Sequence, residues 1–550
     1  MPEDKRLLQA AAVIGKDVPY ALLQAIADVS EDTLRRGLSH LQAAEFLYET
    51  SIFPDLEYTF KHAFTHEVAY GSVLQDRRRT LHARIVAAIQ GVYLDRLAEH
   101  VERLAHHAVR GGAWDQAVTF LRQAGAKAFA RSANRDAVAH YEEALSVQQH
   151  LPQSRTRDED AIDLRFELRS ALMVLGDFPR TLTVLREAQD LAKMLGDIRR
   201  LGWAAGYLSN LLWEMGEQDE AIGRGQEALD IAARLDDAAL KYLALRYLGR
   251  SYHAIGQYRR GVEMFRRALA SLEPARSTAP AGRPNPSFNS SRHFAALCLM
   301  ELGAFPEAIE YAEAALSAVE GVDQAFNLAG SCAALGYVHL RRGDLSKAIP
   351  LLERGVELSR SCNLPVLFPF AASPLGAAYA LSNRTAEALL LLEHAVSQAA
   401  SMRRMVELSL HVAWRSEVLL LADRADDARE SALRALELAL VHKERGYQAW
   451  ILRLLGEIQF KRAPHQSDEA EAYFEQALVL GDELGMDPLR AHCLLGLGAV
   501  YERTGRWQRA CTSLSTAGAL YRTMGMTFWL PRTEAALERL GAAGGPEARV

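Results

Sequence analysis

Small and bulky residues fall on a ruler that repeats along this chain. One segment carries Gly249, Gly256, Gly261, Phe265 and Ala268; a second carries Gly336, Gly343, Ala348, Leu352 and Gly355; a third carries Gly498, Gly505, Ala510, Leu514 and Ala517. In each, small residues stand at offsets 0, +7, +12 and +19 and a bulky residue at +16. The last two small positions extend as Ala137/Ala144, Thr181/Ala188, Ala221/Ala228, Gly261/Ala268, Ala308/Ala315, Ala348/Gly355, Ala388/Ala395, Ala428/Ala435, Ala470/Ala477 and Ala510/Ala517. Successive members are 44, 40, 40, 47, 40, 40, 40, 42 and 40 residues apart, too regular for chance. Small residues two turns apart share one helix face and let a second helix approach closely. Gly256, Gly303, Gly343 and Gly505 fall where a first helix must stop, and glycine suits the position just past a helix end. Each unit is therefore expected to be a helical hairpin. A hairpin cannot bury its apolar face alone, so hairpins must stack into a continuous solenoid.

Three steps depart from forty, and the segments within two of them stand out. The longer one holds EPARSTAPAGRPNPSFNSS at 273–291, rich in Pro, Ser and Gly, which reads as a surface loop or as a hinge or contact loop. The other holds KRAPHQS at 461–467, a longer turn in place of the usual glycine.

The first eighty residues do not follow the ruler. They predict a helix over 4–14, a helix opened by Val18-Pro19, and a third helix from Ser30 to Ala44. FLYET and LEYTF then read as a β-hairpin, and HAFTHEVAYGSVLQDRRRTLHARIVAAI as helix again. Three helices followed by a two-stranded wing suggest a winged-helix module. The expected organisation is a winged-helix-like module over 1–90, repeats over 91–272, the loop 273–291, repeats over 292–540 and a flexible tail over 541–550.

Bulk properties narrow the function. Apolar residues make up 49% and charged residues 24%, the profile of a folded chain, and a net charge of −6 gives no global pull toward nucleic acid or anionic lipid. Five cysteines, Cys298, Cys332, Cys362, Cys493 and Cys511, lie far apart with no C-x-x-C pair, which fits buried reduced thiols. No signal peptide and no apolar run of membrane length is visible, so the expected location is the cytoplasm.

The chemistry sought is mostly absent. Gly15-Lys16-Asp17 lacks the upstream glycine and the hydroxyl of a phosphate loop. His62, His66 and Glu67 place two histidines at i and i+4, but the order is not that of a zinc protease, and a packed structural role is expected. His106-His107 reads as a surface pair. Gly496 and Gly498 in GLGAVY imitate half of a dinucleotide fingerprint with no strand before them. Residues 1–80 hold nine Lys/Arg against twelve Asp/Glu, and Arg35 and Arg36 sit among Glu31, Asp32 and Glu45, so nucleic-acid binding is not expected. Arg77-Arg78-Arg79 is the one basic run there; it reads as a solvated helix start or interdomain contact, or else as a phosphate contact. No cofactor, metal or catalytic residue is expected.

The ruler resembles the tetratricopeptide (TPR) family, most closely in LGRSYHAIGQYRRGVEMFRRALA at 248–270, with a period of 40 in place of 34. The extra length is nearly one turn per helix. LLQAAAVIGKDVP, LSHLQAAEFLYE and YTFKHAFTHEVAYGSVLQDRRRTLHARI resemble the segment that follows the ATPase module in bacterial STAND-type signalling ATPases, some of which are fused to class III adenylate or guanylate cyclases. The cyclase and ATPase domains have no counterpart here, so their catalytic residues have no positions to occupy. The two resemblances together imply an all-α chain: a right-handed TPR-like α-solenoid behind a small winged-helix module. The TPR resemblance further implies a concave groove lined by first helices, which on this chain offers Arg246, Arg250, His253, Tyr337, Arg341, Arg453, Phe460 and Arg503. Arginines and aromatics predominate, so an acidic, partly apolar peptide or protein surface is the expected partner. The function implied is a non-enzymatic interaction scaffold or regulatory sensor, with an ATPase or cyclase in trans as a possible partner. The alternative is a transcriptional regulator that binds DNA through the winged helix and senses through the repeats.

Overall fold

The structure is a computed structural model that describes residues 2–51, 56–271, 287–321, 325–463 and 467–543. The chain divides into two units, Met1–Ala171 and Leu172–Val550.

Unit 1 runs α1 (Pro2–Ile14), β1 (Asp17–Pro19), α2 (Tyr20–Ile26), α3 (Glu31–Ala43), β2 (Leu47–Ser51), β3 (Glu57–Phe60), α4 (Ala63–Gly71), α5 (Gln75–Val92), α6 (Val101–Gly111), α7 (Trp114–Ala130), α8 (Asn134–Gln148) and most of α9 (Arg155–Leu175). The three strands form one antiparallel sheet in the order β1-β3-β2, with Val18 opposite Tyr58 and Tyr48 opposite Thr59. Val18-Pro19, expected to open a helix, instead supplies the first strand; α2 begins one residue later. Pro19 can sit there because proline is tolerated where a strand ends and at a helix entry. The single helix expected from His62 onward is two, since α4 stops at Gly71 and α5 starts at Gln75. At the break Ser72 is held by Gln9, whose Nε2 donates to Ser72 Oγ at 2.8 Å.

His62 is exposed just before α4, while His66 approaches the Ala12 carbonyl at 3.0 Å and packs edge-on against Phe60. His106-His107 is not a surface pair. His107 is buried, and its Nδ1 lies 2.8 Å from Nδ1 of buried His82. Burial pushes the His82 imidazole down to about 4, so the pair is held neutral, one ring donating to the other. A helix face carrying His at 107 reads as polar in sequence, and nothing local announces the partner 25 residues upstream.

Unit 2 begins with α10 (Phe178–Leu195). Eight hairpins follow among the described residues: α11 (Ile198–Glu214) with α12 (Gln218–Leu235), α13 (Ala238–Ala254) with α14 (Tyr258–Ser271), α15 (Ser287–Glu301) with α16 (Phe305–Ser317), and α17 (Ala325–Arg342) with α18 (Leu345–Ser361). Then come α19 (Phe368–Leu381) with α20 (Thr385–Ser401), α21 (Leu408–Leu421) with α22 (Ala425–Val441), α23 (Arg445–Arg462) with α24 (Ser467–Leu484), and α25 (Asp487–Arg503) with α26 (Trp507–Met524). A last helix, α27 (Leu530–Ala543), closes the series. The loop expected over 273–291 lies outside the described residues as far as 286, and from Ser287 the chain is helical. Residues 464–466 of the long turn and 544–550 of the tail also lie outside them.

The ruler has a steric cause. A Cβ on Gly249 would stand 2.7 Å from the Phe265 ring, one on Gly336 2.7 Å from Leu352, and one on Gly376 2.7 Å from Leu392. The bulky side chain at +16 thus occupies the space that a side chain at 0 would fill. The +7 residue must take a left-handed conformation to turn the first helix into the second. Gly343 does so at φ 97°, and Asn383 and Asp423 take over at φ 62° and 59° where glycine is missing. Asn and Asp are the residues that tolerate that region best after glycine.

First helices are buried nearly all round and second helices on one face: α19 buries twelve of its fourteen residues, α22 only five of seventeen. Successive first helices touch one another, so they form the inner wall and the second helices the outer layer.

Unit 2 also closes on itself. The backbone N–H groups of Met405 and Val406 donate to the Glu214 carbonyl at 2.9 and 3.2 Å. His442 Nδ1 meets the Gly216 carbonyl at 3.2 Å, and Lys443 pairs with Asp219. Arg342 Nε donates to the Gly525 carbonyl at 3.3 Å. A Cβ on Gly303 would meet Met524 Sδ at 2.6 Å, and one on Gly446 would overlap the Tyr258 hydroxyl. These contacts join the turn inside one hairpin to the connection some five hairpins later. They form a seam with the same forty-residue step as the repeat.

Candidate functional site

The inner wall is where a helical-repeat chain presents side chains to a partner, and here the seam narrows it. Its first-helix residues therefore meet across the bore. Six of the eight groove candidates are drawn into the wall's own packing.

Two buried ionic clusters span it. In the first, Arg404 donates to Glu214 Oε2 at 2.8 Å and to Glu407 Oε2 at 3.1 Å, linking α11 to the entry of α21. Glu444 accepts from the Glu407 backbone N–H at 2.8 Å and from the Ser409 hydroxyl. Burial raises the Glu444 carboxyl to about 8 and raises Glu407 as well, although the Arg404 charge works against the latter shift. In the second cluster Glu301, 1% exposed, accepts from Arg341 at 3.1 Å and from Trp450 Nε1 at 2.8 Å. Arg341 lies 3.9 Å over the Trp450 ring and donates to the hydroxyl of buried Tyr337 at 2.8 Å. Arg453 bonds Glu457 at 2.6 Å and Glu417 at 3.1 Å. Tyr337, Trp414, Trp450 and Trp529 frame what remains, a crevice of ≈ 60 Å³.

The other candidates fall at the two ends of the wall. Half-buried Arg246 donates to the Tyr247 hydroxyl at 2.7 Å and lies 4.5 Å over that ring. Half-buried Arg250 donates to Asn210 Oδ1 at 2.8 Å and to Ser290 Oγ, between the rings of Trp213 and Phe294. His253 is buried against Tyr258 and Tyr447, and burial pushes its imidazole down to about 4. At the far end Phe460 is half-buried and Arg503 exposed; Arg503 covers the Phe460 ring at 3.5 Å and donates to its carbonyl at 2.9 Å. Beside them a cleft of ≈ 240 Å³ is lined by Phe460, Phe474, Leu495, Glu502, Arg532 and Arg539. The sequence reading missed Glu214, Glu301, Arg404, Glu407 and Glu444. Their one signal, a charged residue on a strongly apolar helix, is diluted by the surface charges of every repeat.

Among the described residues no group of three or more His, Cys, Asp or Glu could hold a metal ion, and no helix is long and apolar enough to cross a membrane. Cys298, Cys332 and Cys493 are buried free thiols, but Cys362 is half-buried and Cys511 exposed, which corrects the expectation of five buried ones.

No family profile matches the chain. An uncharacterised protein of Rhizobium meliloti (strain 1021) is 29% identical over 160 residues, covering 28% of this chain and 15% of its own length; the chain thus spans under a sixth of that relative. The 43 kDa receptor-associated protein of the synapse from Tetronarce californica is 24% identical over 298 residues, 52% of this chain and 67% of that protein. Among solved structures, a Rap protein complexed with competence and sporulation factor covers 67% of this chain and 98% of its own, with a TM-score of 0.52 and 14% identity. The forty-residue hairpins and this likeness make the fold a nearly all-helical, TPR-like solenoid.

Proposed function

We propose that this chain is a non-catalytic regulatory module that holds a short acidic and apolar segment of a partner protein at the C-terminal end of its inner wall. The observation that carries the reading is the cleft of ≈ 240 Å³ beside Phe460. It joins an aromatic floor, Phe460 and Phe474, to two exposed arginines, Arg532 and Arg539, and exposed Arg503 stands beside it over the Phe460 ring. Glu457 and Glu502 also line it, and Glu502 pairs with Arg539, a bond that an incoming carboxylate would replace. Phenylalanine offers apolar area, and planar guanidinium groups suit carboxylates. The structurally similar Rap protein is itself complexed with competence and sporulation factor, which agrees with a partner-holding use of such a wall. Selection from a random peptide library tests this. Bound sequences are expected to enrich Asp or Glu beside Phe or Leu, and binding is expected to fall at least tenfold in an Arg503→Glu/Arg532→Glu/Arg539→Glu variant. Equal binding by that variant removes the reading.

Unit 1 fits a winged-helix module, because helix, strand, helix, helix and two strands follow in that order with the sheet β1-β3-β2. Together with the repeats this favours the sensor half of a STAND-like signalling system, acting on an ATPase or cyclase in trans. Phe64, Val68 and Leu74 are exposed around α4 and supply apolar surface for such a neighbour. DNA binding is the weaker alternative. On α3, Arg35 is paired with Glu31 at 2.7 Å while Arg36 bonds only neutral oxygens, so the helix offers a phosphate at most one unpaired guanidinium and no basic patch. A gel-shift titration should show no retardation that survives physiological salt.

A further inference from the structure

We propose that Arg246 and Arg250, on the inner wall at α13, form a second site that takes the oxyanion of a small ligand, a carboxylate or a phosphate. Three other arginines of the wall show what a buried guanidinium does when its charge is met from within: Arg404 has Glu214 and Glu407, Arg341 has Glu301, and Arg453 has Glu417 and Glu457. Arg246 and Arg250 have no carboxylate within ion-pair distance among the described residues. Their hydrogen bonds go to neutral oxygens only, those of Tyr247, Asn210 and Ser290. They stand four residues apart on one helix face, where like charges repel. The carboxylates that act on Arg250 without touching it, Glu214 and Glu407, are both already engaged by Arg404.

The surroundings supply further polar groups. Trp213, whose ring lies 5.1 Å from the Arg250 guanidinium, is 2% exposed and its indole N–H has no partner. His293, tilted against the Phe294 ring, has Nδ1 buried without a partner. Its imidazole is pushed down to about 3, by burial first and then by the charges of Arg250 and Arg246. Burial and the neighbouring Arg246 charge also bring Arg250 down to about 10. Two positive charges, half-buried between the rings of Tyr242, Tyr247, Trp213 and Phe294, thus stand side by side with no carboxylate in contact among the described residues. An oxyanion accepts from several guanidinium N–H groups at once and removes that repulsion. Both arginines retain partial solvent access.

The site uses none of the residues around Phe460, so the loss of that reading leaves this one standing. The test uses the full chain, titrated calorimetrically and by thermal melting with sodium succinate in one arm and sodium phosphate in the other, against sodium chloride of equal ionic strength. A saturable heat and a rise in Tm are expected in at least one arm, and the arm that responds identifies the ligand class. Affinity should fall at least tenfold in Arg246→Gln/Arg250→Gln, remain intermediate in Arg250→Lys, and stay unchanged in Arg434→Gln, which removes an exposed charge from an outer helix. Should the double variant fail to fold, wild-type protein is treated with phenylglyoxal and mapped by mass; the active ligand should slow modification of Arg246 and Arg250 selectively. No saturable response in either arm, equal affinity in a folded double variant, or modification unchanged by the ligand would overturn the proposal.

Discussion

The two stretches of the inner wall solve the same electrostatic problem differently. Around Arg341, Arg404 and Arg453 each guanidinium leaves water but gains one or two carboxylates, so the buried charge is closed within the chain. Around Arg246 and Arg250 the same residue type on the same helix face has only neutral partners. A buried ion pair contributes little net stability, yet breaking one by removing a partner is costly. The first stretch therefore fixes the closure of the seam, and the second keeps a charge available. One repeat pattern thus carries both a structural and a receptive surface, and only the placement of glutamates separates them.

Four substitutions or titrations break or sharpen this contrast. The largest effect is expected from Arg404→Met, which strands Glu214 and Glu407 without their cation. Urea unfolding should show a loss of about 3–5 kcal/mol. Next is Gly446→Ala. The added methyl overlaps the Tyr258 hydroxyl at the seam and should cost about 1–3 kcal/mol, of which Tyr258→Phe in the same chain should restore a part.

The third concerns pH. The Glu444 carboxyl is raised to about 8 in the folded chain from an ordinary 4.5, so between those values the native state holds a proton that the unfolded state has lost. The stability from this group is complete below about pH 4.5 and is lost as pH rises through 8. Stability curves should fall across that window by at most about 1.4 kcal/mol per pH unit, and Glu444→Gln should flatten them. The smallest effect is expected from Arg250→Met. It strands no carboxylate, so its unfolding free energy should stay within about 1 kcal/mol of wild type or exceed it. A loss as large as that of Arg404→Met would erase the distinction between the two stretches.

Much of this fold was legible because its causes are local. The glycine at 0 answers the bulky residue at +16 in the same hairpin, and the left-handed residue at +7 answers the turn beside it. Asn383 and Asp423 show the limit of reading glycine alone, since they do the same work in a different side chain. The seam was not legible. Lys443 and Asp219 are 224 residues apart, and each looks like ordinary surface charge. The groove candidates followed from helix position, which places Arg341 and Arg453 on the inner face. Whether that face meets solvent or another first helix depends on how tightly the solenoid winds, a property that small rotations accumulate over many repeats. The same distance hid Glu214 from Arg404.

Closure of unit 2 is the claim on which the buried clusters and the narrowed wall rest, and one cross-link tests it. Asp219→Cys and Lys443→Cys place thiols at an exposed seam contact, with Cys362 and Cys511 changed to serine to remove the accessible native thiols. A short bis-maleimide, which spans the length of the lysine side chain that a disulfide cannot, should join the two thiols within the monomer and close a loop that shifts mobility on a denaturing gel. Unlinked thiols, or links only between chains, would contradict a closed wall and leave the repeats as an open spiral.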